Sequence, residues 1–473
     1  MKLNRDELVQ LDKEQLLDIL LGVINQLIAE NAELKAKLAQ NSQNSSKPPS
    51  SDGYKKPKPK SMRQPSGRKP GGQPGHKGHG LKLPDKVNEI RRLAAETCHS
   101  CNRNLNDVIS KVIGSRYLLD IPPIEAHITR FDRTVAKCPD CGIKNEGAYP
   151  VGINSAIQYG ENIKAFATSL VDYGMVSVER TREIIAGAFG ISMSTGTIQS
   201  FIYECAEQVS DTVESIKGHL INSPVAGFDE TGFRVEGKLH WMHVASNALY
   251  TYITVHPKRG RAAIEHSGIL PIFSGIAVHD CWKPYFSYTA CLHALCNAHL
   301  LRELTAVYEQ TGQSWATDML QLLLDMKADC EKLKQGGATF IPMEDMQVFR
   351  KAYENIICEG LSQNSLPERQ ERKAGRLKRS KARCLLDRLI EHQEKILLFA
   401  NDFQVPFDNN QSERDIRIFK VKQKVSGGLR SIDGAISFAK VSSYIQTAKK
   451  LGSKVFNALR SAFLGTSFDV VFG

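Results

Sequence analysis

The chain has 473 residues, of which 41% are hydrophobic, and this length predicts several domains with buried cores rather than one. The formal charge of +11 at pH 7 favours a polyanionic partner such as nucleic acid, although an evenly spread basic surface would give the same sum. Because there is no apolar run of about eighteen residues and no start typical of a secretory signal, the sequence argues against a membrane span and predicts a cytoplasmic protein.

An apolar seam runs through residues 1–40 in steps of three and four. Its members are Leu17, Leu20, Ile24, Leu27, Asn31, Leu34 and Leu38. This is the a and d spacing of a coiled coil, in which a single Asn at an a position fixes register and favours a two-stranded pair. We therefore predict an oligomerisation helix that makes a homo-oligomer, with a helix packed on its own domain as the alternative.

Residues 41–85 are rich in Ser, Pro, Gly, Lys and Arg, as in NSSKPPSSDGYKKPKPK. Such a composition cannot bury enough apolar area to fold alone, so we expect a disordered basic linker. Its charges would either contact phosphates without sequence preference or simply be solvated.

Two cysteine pairs follow in residues 86–150, namely Cys98 with Cys101 and Cys138 with Cys141. Each pair has two residues between its thiols, a spacing at which one turn offers two thiolates to a tetrahedral zinc ion. Eleven cysteines in a long chain are typical of thiols and metal ligands rather than of a disulfide framework. We predict a zinc-binding domain with structural Zn²⁺, and a redox dithiol or unrelated free cysteines are the alternatives.

Residues 151–220 have a helical pattern that is interrupted near Gly190. This glycine suits a left-handed turn, and Ser194 or Thr195 can cap a second helix. The exposed start of that helix, which includes Thr197, would enter a DNA major groove in a helix-turn-helix. Helix pairs joined by a glycine turn also occur in ordinary cores.

Residues 221–295 contain four strand-like runs, the last two separated by a short helix. The first three predict an antiparallel meander, and a right-handed crossover would return the fourth strand parallel to the first. That topology sets Asp229 in GFDETGF beside Asp280 in AVHDCW. Two close carboxylates repel each other unless a cation lies between them, so the pair predicts Mg²⁺ or Mn²⁺. Taken singly, each Asp is also typical of an ordinary strand end or turn.

A third acidic residue, Glu413, opens a helix in residues 406–450, which we expect to complete a catalytic core whose first part is residues 221–295. A capping box in which this glutamate reaches back to Asn410 would explain it without any function. Residues 296–405 predict a helical insertion in the core, and residues 451–473 a C-terminal tail. Four basic residues after the glutamate would line a phosphate path or simply face solvent: Lys420, Lys422, Lys424 and Arg430.

The motifs DET with RVEGKLHWMHVAS, HDCWKPY, HALCNAHLLREL and DNNQSERDIRIFKVKQKVSGGLRS occur in this order, together with NSSKPPSSD, GGQPGHKG and the paired cysteines. In these motifs the chain closely resembles the insertion sequence 66 family of bacterial transposases, over nearly its whole length. The resemblance implies a multidomain α/β protein with a ribonuclease-H-like core and an Asp-Asp-Glu triad, which falls on Asp229, Asp280 and Glu413. It also implies nucleoid association and DNA partners, the element ends and the target, and it leaves open whether accessory proteins of the same element are required.

Two features lie close to the second Asp of the triad. The segment Cys296-Asn-Ala-His299 resembles a Cys-x-x-His signature of several transposase groups. One helical turn would place both side chains on one face, which suits metal ligation or DNA positioning, and equally a packed Cys with a hydrogen-bonded His. Trp282 could stack on an unpaired base near the cut or lie buried under the strand end.

The three acidic residues predict two-metal catalysis of strand cleavage and strand transfer. One ion would activate water and later the freed 3′-hydroxyl, and the other would stabilise the leaving oxygen. Asp229 would bridge both ions, with Asp280 and Glu413 completing the ligand shells. Two other classes remain open: a zinc-stabilised DNA-binding regulator derived from a transposase, and a nuclease on the same core that cuts without joining.

Overall fold

The computed structural model describes residues 12–41, 44–45, 75, 86–122, 124–366 and 379–467. The predicted basic linker therefore lies almost wholly outside the described residues, as do the start of the predicted coiled coil and the end of the predicted tail. The chain divides into two compact units, the smaller made of residues 58–128 and 188–190 and the larger of the remaining residues.

The helices that follow are named in chain order. They are α1 (Lys13–Leu38), α2 (Glu161–Thr168), α3 (Val178–Phe189), α4 (Thr195–Gln208), α5 (Ser210–Ile221), α6 (Arg261–Ser267), α7 (Asn297–Thr311), α8 (Ser314–Gln335), α9 (Met343–Gln363), α10 (Lys381–Glu391), α11 (Gln393–Asn401), α12 (Asn410–Ser426), α13 (Ile432–Lys450) and α14 (Val455–Phe463). The strands are β1 (Val135–Lys137), β2 (Lys144–Glu146), β3 (Val225–Val235), β4 (Lys238–Ser246), β5 (Thr251–His256), β6 (Ile276–His279) and β7 (Leu292–Leu295).

A five-stranded mixed sheet carries the centre of the larger unit. Its strand order is β5-β4-β3-β6-β7, with antiparallel pairing among β3, β4 and β5 and parallel pairing among β3, β6 and β7. Glu236 and Gly237 join β3 to β4 with φ of 53° and 74°, as a two-residue hairpin turn requires. The predicted meander and the parallel return of the fourth strand are confirmed, whereas β7 was not predicted.

The first turn of α12 is fixed against β3 and β4 by small polar side chains. Asn409 Nδ2 donates to the Phe228 carbonyl at 2.7 Å, and Ser412 Oγ lies 2.9 Å from Ser246 Oγ. This close approach requires a glycine at position 227, because a Cβ there would lie 2.2 Å from Asn409 Oδ1 and 2.4 Å from Ser412 Oγ. The residue that follows Ser412 is Glu413, so these contacts set its position.

A buried ionic contact ties α12 to α13 and β5. Asp415 is 4% exposed, and its Oδ2 accepts hydrogen bonds from Lys450 Nζ at 2.7 Å and from Thr251 Oγ1 at 2.9 Å. Lys450 Nζ also donates to the carbonyls of Asn247 and Tyr250. Because a buried charge is tolerated only when it is paired and hydrogen-bonded, this contact holds the three elements in one arrangement.

The described residues between β7 and α12 are mainly helical, as the predicted insertion requires. Their core includes Trp315, Met319, Leu323, Tyr353 and Leu386. The two ends of the insertion are joined to each other, because the Asn409 amide donates to Cys296 Sγ at 3.1 Å and the Asn297 amide donates to the Phe407 carbonyl at 3.1 Å. The insertion therefore begins and ends beside the same strands.

Helix α1 presents its predicted apolar seam to solvent. Asp12 and Gln15 form a capping box at its start. The side chains of the seam are open, with Leu17 52%, Leu20 58% and Leu27 59% exposed. Pairing of two such helices in a coiled coil stays a prediction.

Residues 455–463 lie in the predicted C-terminal tail, but they form helix α14. Ala458, Leu459 and Ala462 are buried, and the Tyr444 hydroxyl donates to the Ala458 carbonyl at 2.8 Å. Apolar residues at steps of three and four give this segment one face that packs on α13. The tail prediction overlooked that short periodicity.

Candidate active site

Asp229 lies on β3, and Asp280 directly follows the neighbouring parallel strand β6. Gly227 of β3 pairs with Val278 of β6, so two residues further along each chain Asp229 stands opposite Asp280. Adjacent strands are about 4.8 Å apart, which lets both carboxyl groups reach a common ligand. This is the juxtaposition that the strand topology predicted.

Backbone amides orient both aspartates. The Glu230 amide donates to Asp229 Oδ1 at 2.9 Å, and the Trp282 amide donates to Asp280 Oδ1 at 3.0 Å. Hydrogen bonds of this kind favour the charged carboxylate. They fix the direction of each carboxyl group without using a side chain.

Glu413 lies in the first turn of α12. Its Oε1 is buried without a hydrogen-bond partner, and its Oε2 lies 3.5 Å from Arg417 Nη2 and 3.9 Å from Arg302 Nη2. The N-cap residue of α12 is Asn409, and no side chain makes the cap hydrogen bond. The capping-box alternative for Glu413 is therefore not formed.

The three carboxyl groups interact electrostatically. Burial raises the pKa of Asp229 well above its usual value, and the negative charges of Glu230, Glu413 and Asp280 raise it further. Burial also raises the pKa of Asp280, and Glu413 adds to that increase. Buried carboxylates that repel one another are stabilised by a divalent cation, and oxygen donors suit Mg²⁺ and Mn²⁺. The oxygen donors are of the type that these ions prefer, but the ligand atoms of the three described acids do not all lie within 4.8 Å of one another, so the ions stay a prediction.

Cys296 and His299 lie beside Glu413. Among the His, Cys, Asp and Glu side chains that the structure describes, Cys296, His299 and Glu413 form the one set of three that could hold a metal ion. The ligand atoms of these three side chains all lie within 4.8 Å of one another. His299 Nδ1 lies 3.8 Å from Glu413 Oε1, and neither atom has a hydrogen-bond partner. Cys296 Sγ accepts the Asn409 amide, and burial raises the pKa of this thiol to about 12. The Cys-x-x-His segment, at the start of the helical insertion, thus lies beside Glu413, which follows the end of the insertion.

The structure adds Glu230, Arg259 and Tyr285, which the sequence analysis did not single out. The Glu230 side chain is 2% exposed. Its Oε1 accepts from Arg259 Nε at 2.9 Å and Nη2 at 2.6 Å, and its Oε2 accepts from the Tyr285 hydroxyl. The Arg259 guanidinium lies 4.9 Å from the ring centroid of Trp241 and 4.3 Å from that of Trp282. No spacing signal marks this group; the second acid of GFDETGF was the only hint in the sequence.

A cleft opens beside Asp280. It has a volume of about 220 Å³ and is lined in part by Trp282, His299 and the ion pair of Glu303 with Arg388. Trp282 is half-buried, with one side toward Arg259 and contact with the cleft. The alternative of an aromatic buried under the strand end is therefore wrong, and the stacking of Trp282 on an unpaired base stays a prediction.

The cysteine pairs form two turns of the same design. The Asn102 amide donates to the Cys98 carbonyl at 2.8 Å, and the Gly142 amide donates to the Cys138 carbonyl at 2.9 Å. Asn102 and Gly142 have positive φ, 57° and 74°. The turns belong to different compact units, Cys98 with Cys101 in the smaller and Cys138 with Cys141 in the larger.

Both turns favour thiolates. Amides of Cys101 and Ser100 lower the pKa of Cys98, and amides of Cys141 and Asp140 lower that of Cys138. A lower pKa prepares a thiol for metal ligation because the thiolate is the ligand. Each turn by itself offers half of the four-thiolate zinc site, which stays a prediction.

The helix pair expected around Gly190 is formed by α3 and α4. Gly190 has a φ of +66°, and Ser194 Oγ caps α4 by accepting the Thr197 amide at 3.0 Å. Ser194 and Thr195 are exposed and Thr197 is half-buried. Their contact with a DNA groove stays a prediction.

The four basic residues after Glu413 differ in exposure. Lys424 and Arg430 are exposed, whereas Lys420 is half-buried and its Nζ donates to the Gly232 carbonyl at 2.6 Å. Lys422 is 4% exposed, and its Nζ donates to the Val171 carbonyl at 3.1 Å. The predicted phosphate contact of Lys422 is corrected, because its ammonium group is buried.

Lys422 faces a buried acid. Asp172 lies in the π-helical turn Ser169–Tyr173 and is 1% exposed. Burial raises the pKa of Asp172 to about 7, although Lys422 opposes this increase. The charge of the lysine is thus directed into the protein.

No helix among the residues that the structure describes is long and apolar enough to cross a bilayer. The profile of the family described as "Transposase IS66 family" matches residues 157–437, more than half of the chain, a range that includes Asp229, Asp280 and Glu413. A family of unknown function, DUF6444, matches residues 2–82. The uncharacterized protein y4jO of Sinorhizobium fredii is 35% identical over 75 residues, which cover 16% of this chain and only 23% of that protein. The resemblance seen in the motifs is confirmed, and the chain belongs to the IS66 family of transposases.

Proposed function

We propose that the protein binds the ends of its DNA element and catalyses metal-dependent strand cleavage and strand transfer. The observation that carries this proposal is the proximity of three half-buried carboxyl groups, Asp229, Asp280 and Glu413: burial raises the pKa of both aspartates, and the charge of Glu413 raises each of these two pKa values further. Confining so much negative charge is costly unless cations offset it. The five-stranded mixed sheet would be the ribonuclease-H-like core of this enzyme.

The cofactors proposed are two Mg²⁺ or Mn²⁺ ions. Such ions supply an activated water or 3′-hydroxyl and neutralise charge on the leaving oxygen. Asp229 would hold both ions, Asp280 would complete one shell and Glu413 the other. The Glu230 and Trp282 amides hold the two aspartates in fixed directions before an ion binds.

His299 is proposed as an accessory residue at Glu413. Its Nδ1 and Glu413 Oε1 are both without a partner at a separation of 3.8 Å, which an ion or a water molecule can bridge. Cys296 accepts an amide hydrogen as a buried thiol, which favours a structural role for it. Trp282 remains a proposed stacking platform for an unpaired base.

Zinc is proposed as the structural ion of Cys98, Cys101, Cys138 and Cys141. Support comes from the spacing of each pair and from amides that lower the pKa of Cys98 and Cys138. Bound zinc would add folding free energy to segments that contain little secondary structure.

The proposed partners are the element ends, target DNA and further copies of the chain. DNA contacts are assigned to Ser194, Thr195 and Thr197 and, after Glu413, to Lys420, Lys424 and Arg430. The exposed seam of α1 would pair with that of another copy, which suits the holding of two ends together. Accessory proteins of the same element are a further proposed partner class.

One experiment tests the function and separates it from the two alternatives. Purified protein is incubated with labelled element ends, target plasmid and Mg²⁺. Joined products support transposition, cut ends without joining indicate a nuclease, and binding without cutting indicates a regulator.

Three variants test the triad in the same assay. Asp229→Asn, Asp280→Asn and Glu413→Gln should each abolish nicking and strand transfer while end binding is retained. Asp433→Asn, at an exposed acid in the first turn of α13, is the matched control and should remain active. Activity that survives any one of the three changes removes that residue from the triad.

A further inference from the structure

We propose that Arg259 binds a backbone phosphate of the DNA strand that is processed at the three carboxyl groups. This inference rests on the proposed function and adds to it a substrate contact outside the triad. It is argued from the way in which the guanidinium group is held, from its exposure and from its neighbours.

One edge of the guanidinium is fixed by a buried acid. Arg259 Nε and Nη2 both donate to Glu230 Oε1, at 2.9 and 2.6 Å, and the Glu230 side chain is 2% exposed. The hydrogen bonds of Arg259 that the structure describes use these two nitrogens, so Nη1 and the second hydrogen of Nη2 remain for a ligand. A phosphate is the anion that matches this planar arrangement of donors.

The plane of the guanidinium is fixed by two indole rings. Trp241 and Trp282 lie 4.9 and 4.3 Å from it, yet the Arg259 side chain is still 41% exposed. Stacking on aromatic faces stabilises the cation and reduces the freedom that it would lose on binding. A charged group that is immobilised but open to solvent is suited to a rigid anionic ligand.

Two of the three groups that hold Arg259 are connected to the aspartates of the triad. Glu230 directly follows Asp229 in β3, and the Trp282 amide donates to Asp280 Oδ1 at 3.0 Å. A phosphate at Arg259 therefore lies at the same end of β3 and β6 as the carboxyl groups, and the arginine offsets their repulsion of DNA.

A purely structural role is the competing explanation. Arg259 would then serve only to neutralise Glu230, since removal of one partner of a buried pair leaves an uncompensated charge. Arg259→Gln alone cannot separate the two roles because it also leaves Glu230 without its partner. The pair Glu230→Gln with Arg259→Gln removes both charges and provides the separation.

The experiment uses full-length protein and duplexes that carry the terminal sequence of the element. Single neutral methylphosphonates replace successive phosphates around the cleavage position, and both equilibrium binding and single-turnover cleavage are measured. Arg261→Gln is the matched control, because Arg261 is two residues away, 71% exposed and ion-paired to Glu265 in its own helix. Thermal unfolding shows that each variant is folded at the assay temperature.

We expect that the effect of one methylphosphonate on the cleavage rate depends on whether Arg259 is present. In the wild type, one methylphosphonate should lower cleavage by about 100-fold, the scale on which a single charge-stabilising donor acts. The double variant should show the same loss on unmodified DNA and no additional loss with that methylphosphonate. Arg261→Gln should behave as the wild type.

Two results would overturn the proposal. One is a double variant that binds and cleaves like the wild type, which would reduce Arg259 to the counterion of Glu230. The other is a double variant whose defect adds to that of every methylphosphonate. If the wild type binds the ends without cutting them, the proposed function fails, and the same coupling measured in binding still decides whether Arg259 contacts a phosphate.

Discussion

Replacement of Gly227 by Ala should destabilise the larger unit and displace Glu413. The new Cβ would lie 2.2 Å from Asn409 Oδ1 and 2.4 Å from Ser412 Oγ, so the first turn of α12 must move away from β3. Overpacking of this kind costs about 1–3 kcal/mol. Loss of the hydrogen bond from Asn409 to the Phe228 carbonyl adds about 1–3 kcal/mol, because both groups are buried.

We therefore expect Gly227→Ala to lower the free energy of unfolding by about 2–6 kcal/mol, the sum of those two costs. Cleavage should fall further than the folded fraction does, since Glu413 moves with Ser412. Urea denaturation followed by circular dichroism measures the first effect, and single-turnover cleavage under folding conditions measures the second. Gly218→Ala in α5 is the control, because no atom lies within 4 Å of its added Cβ, and it should be neutral or stabilising. An unchanged denaturation midpoint for Gly227→Ala would refute the reasoning.

Four further outcomes are expected. His299→Ala should reduce strand cleavage and leave end binding intact, as measured by gel shift and single-turnover assays; normal cleavage would return this residue to a structural role. Asp172→Asn should flatten the dependence of the free energy of unfolding on pH between about pH 4 and 7. The pKa of Asp172 is raised to about 7, so the folded protein keeps this proton while the unfolded chain loses it, and wild-type stability falls as pH rises through that window. Parallel slopes for the two proteins in chemical denaturation would contradict this. Cys98→Ser should lower the bound zinc measured by atomic emission, whereas the exposed thiol of Cys358 can be changed to Ser without such loss; equal zinc in both variants would remove Cys98 from the ligands. Deletion of residues 1–40 should lower the oligomeric state in analytical ultracentrifugation, and an unchanged state would rule out the zipper.

The positions of the two aspartates could be predicted because they follow from short-range patterns. Three strand-like runs with short turns define a meander, and the helical crossover fixes the parallel direction of the strand before Asp280. The register then places Asp229 opposite Asp280 without information on side-chain packing. The helical pattern of the insertion is local in the same way.

Contacts between distant parts of the chain could not be predicted from such patterns. The position of Glu413 depends on the absence of a side chain at Gly227, nearly two hundred residues earlier, and the burial of Lys422 depends on the π-helical turn that contains Asp172. Arg259 lies in a stretch of basic residues in which nothing distinguishes it from Arg261. Only tertiary packing shows which of the two arginines is stacked and which is solvated.

Because hydrogen bonds join the two ends of the helical insertion, the insertion is attached to the rest of the larger unit at one place. The chain leaves the sheet at Cys296 and returns at Asn409, and these two residues are bonded to each other. A segment anchored at one point can change in length or tilt without pulling the aspartates apart. The same junction carries His299 on one side and Glu413 on the other, so any change in its geometry would move these two side chains relative to the aspartates.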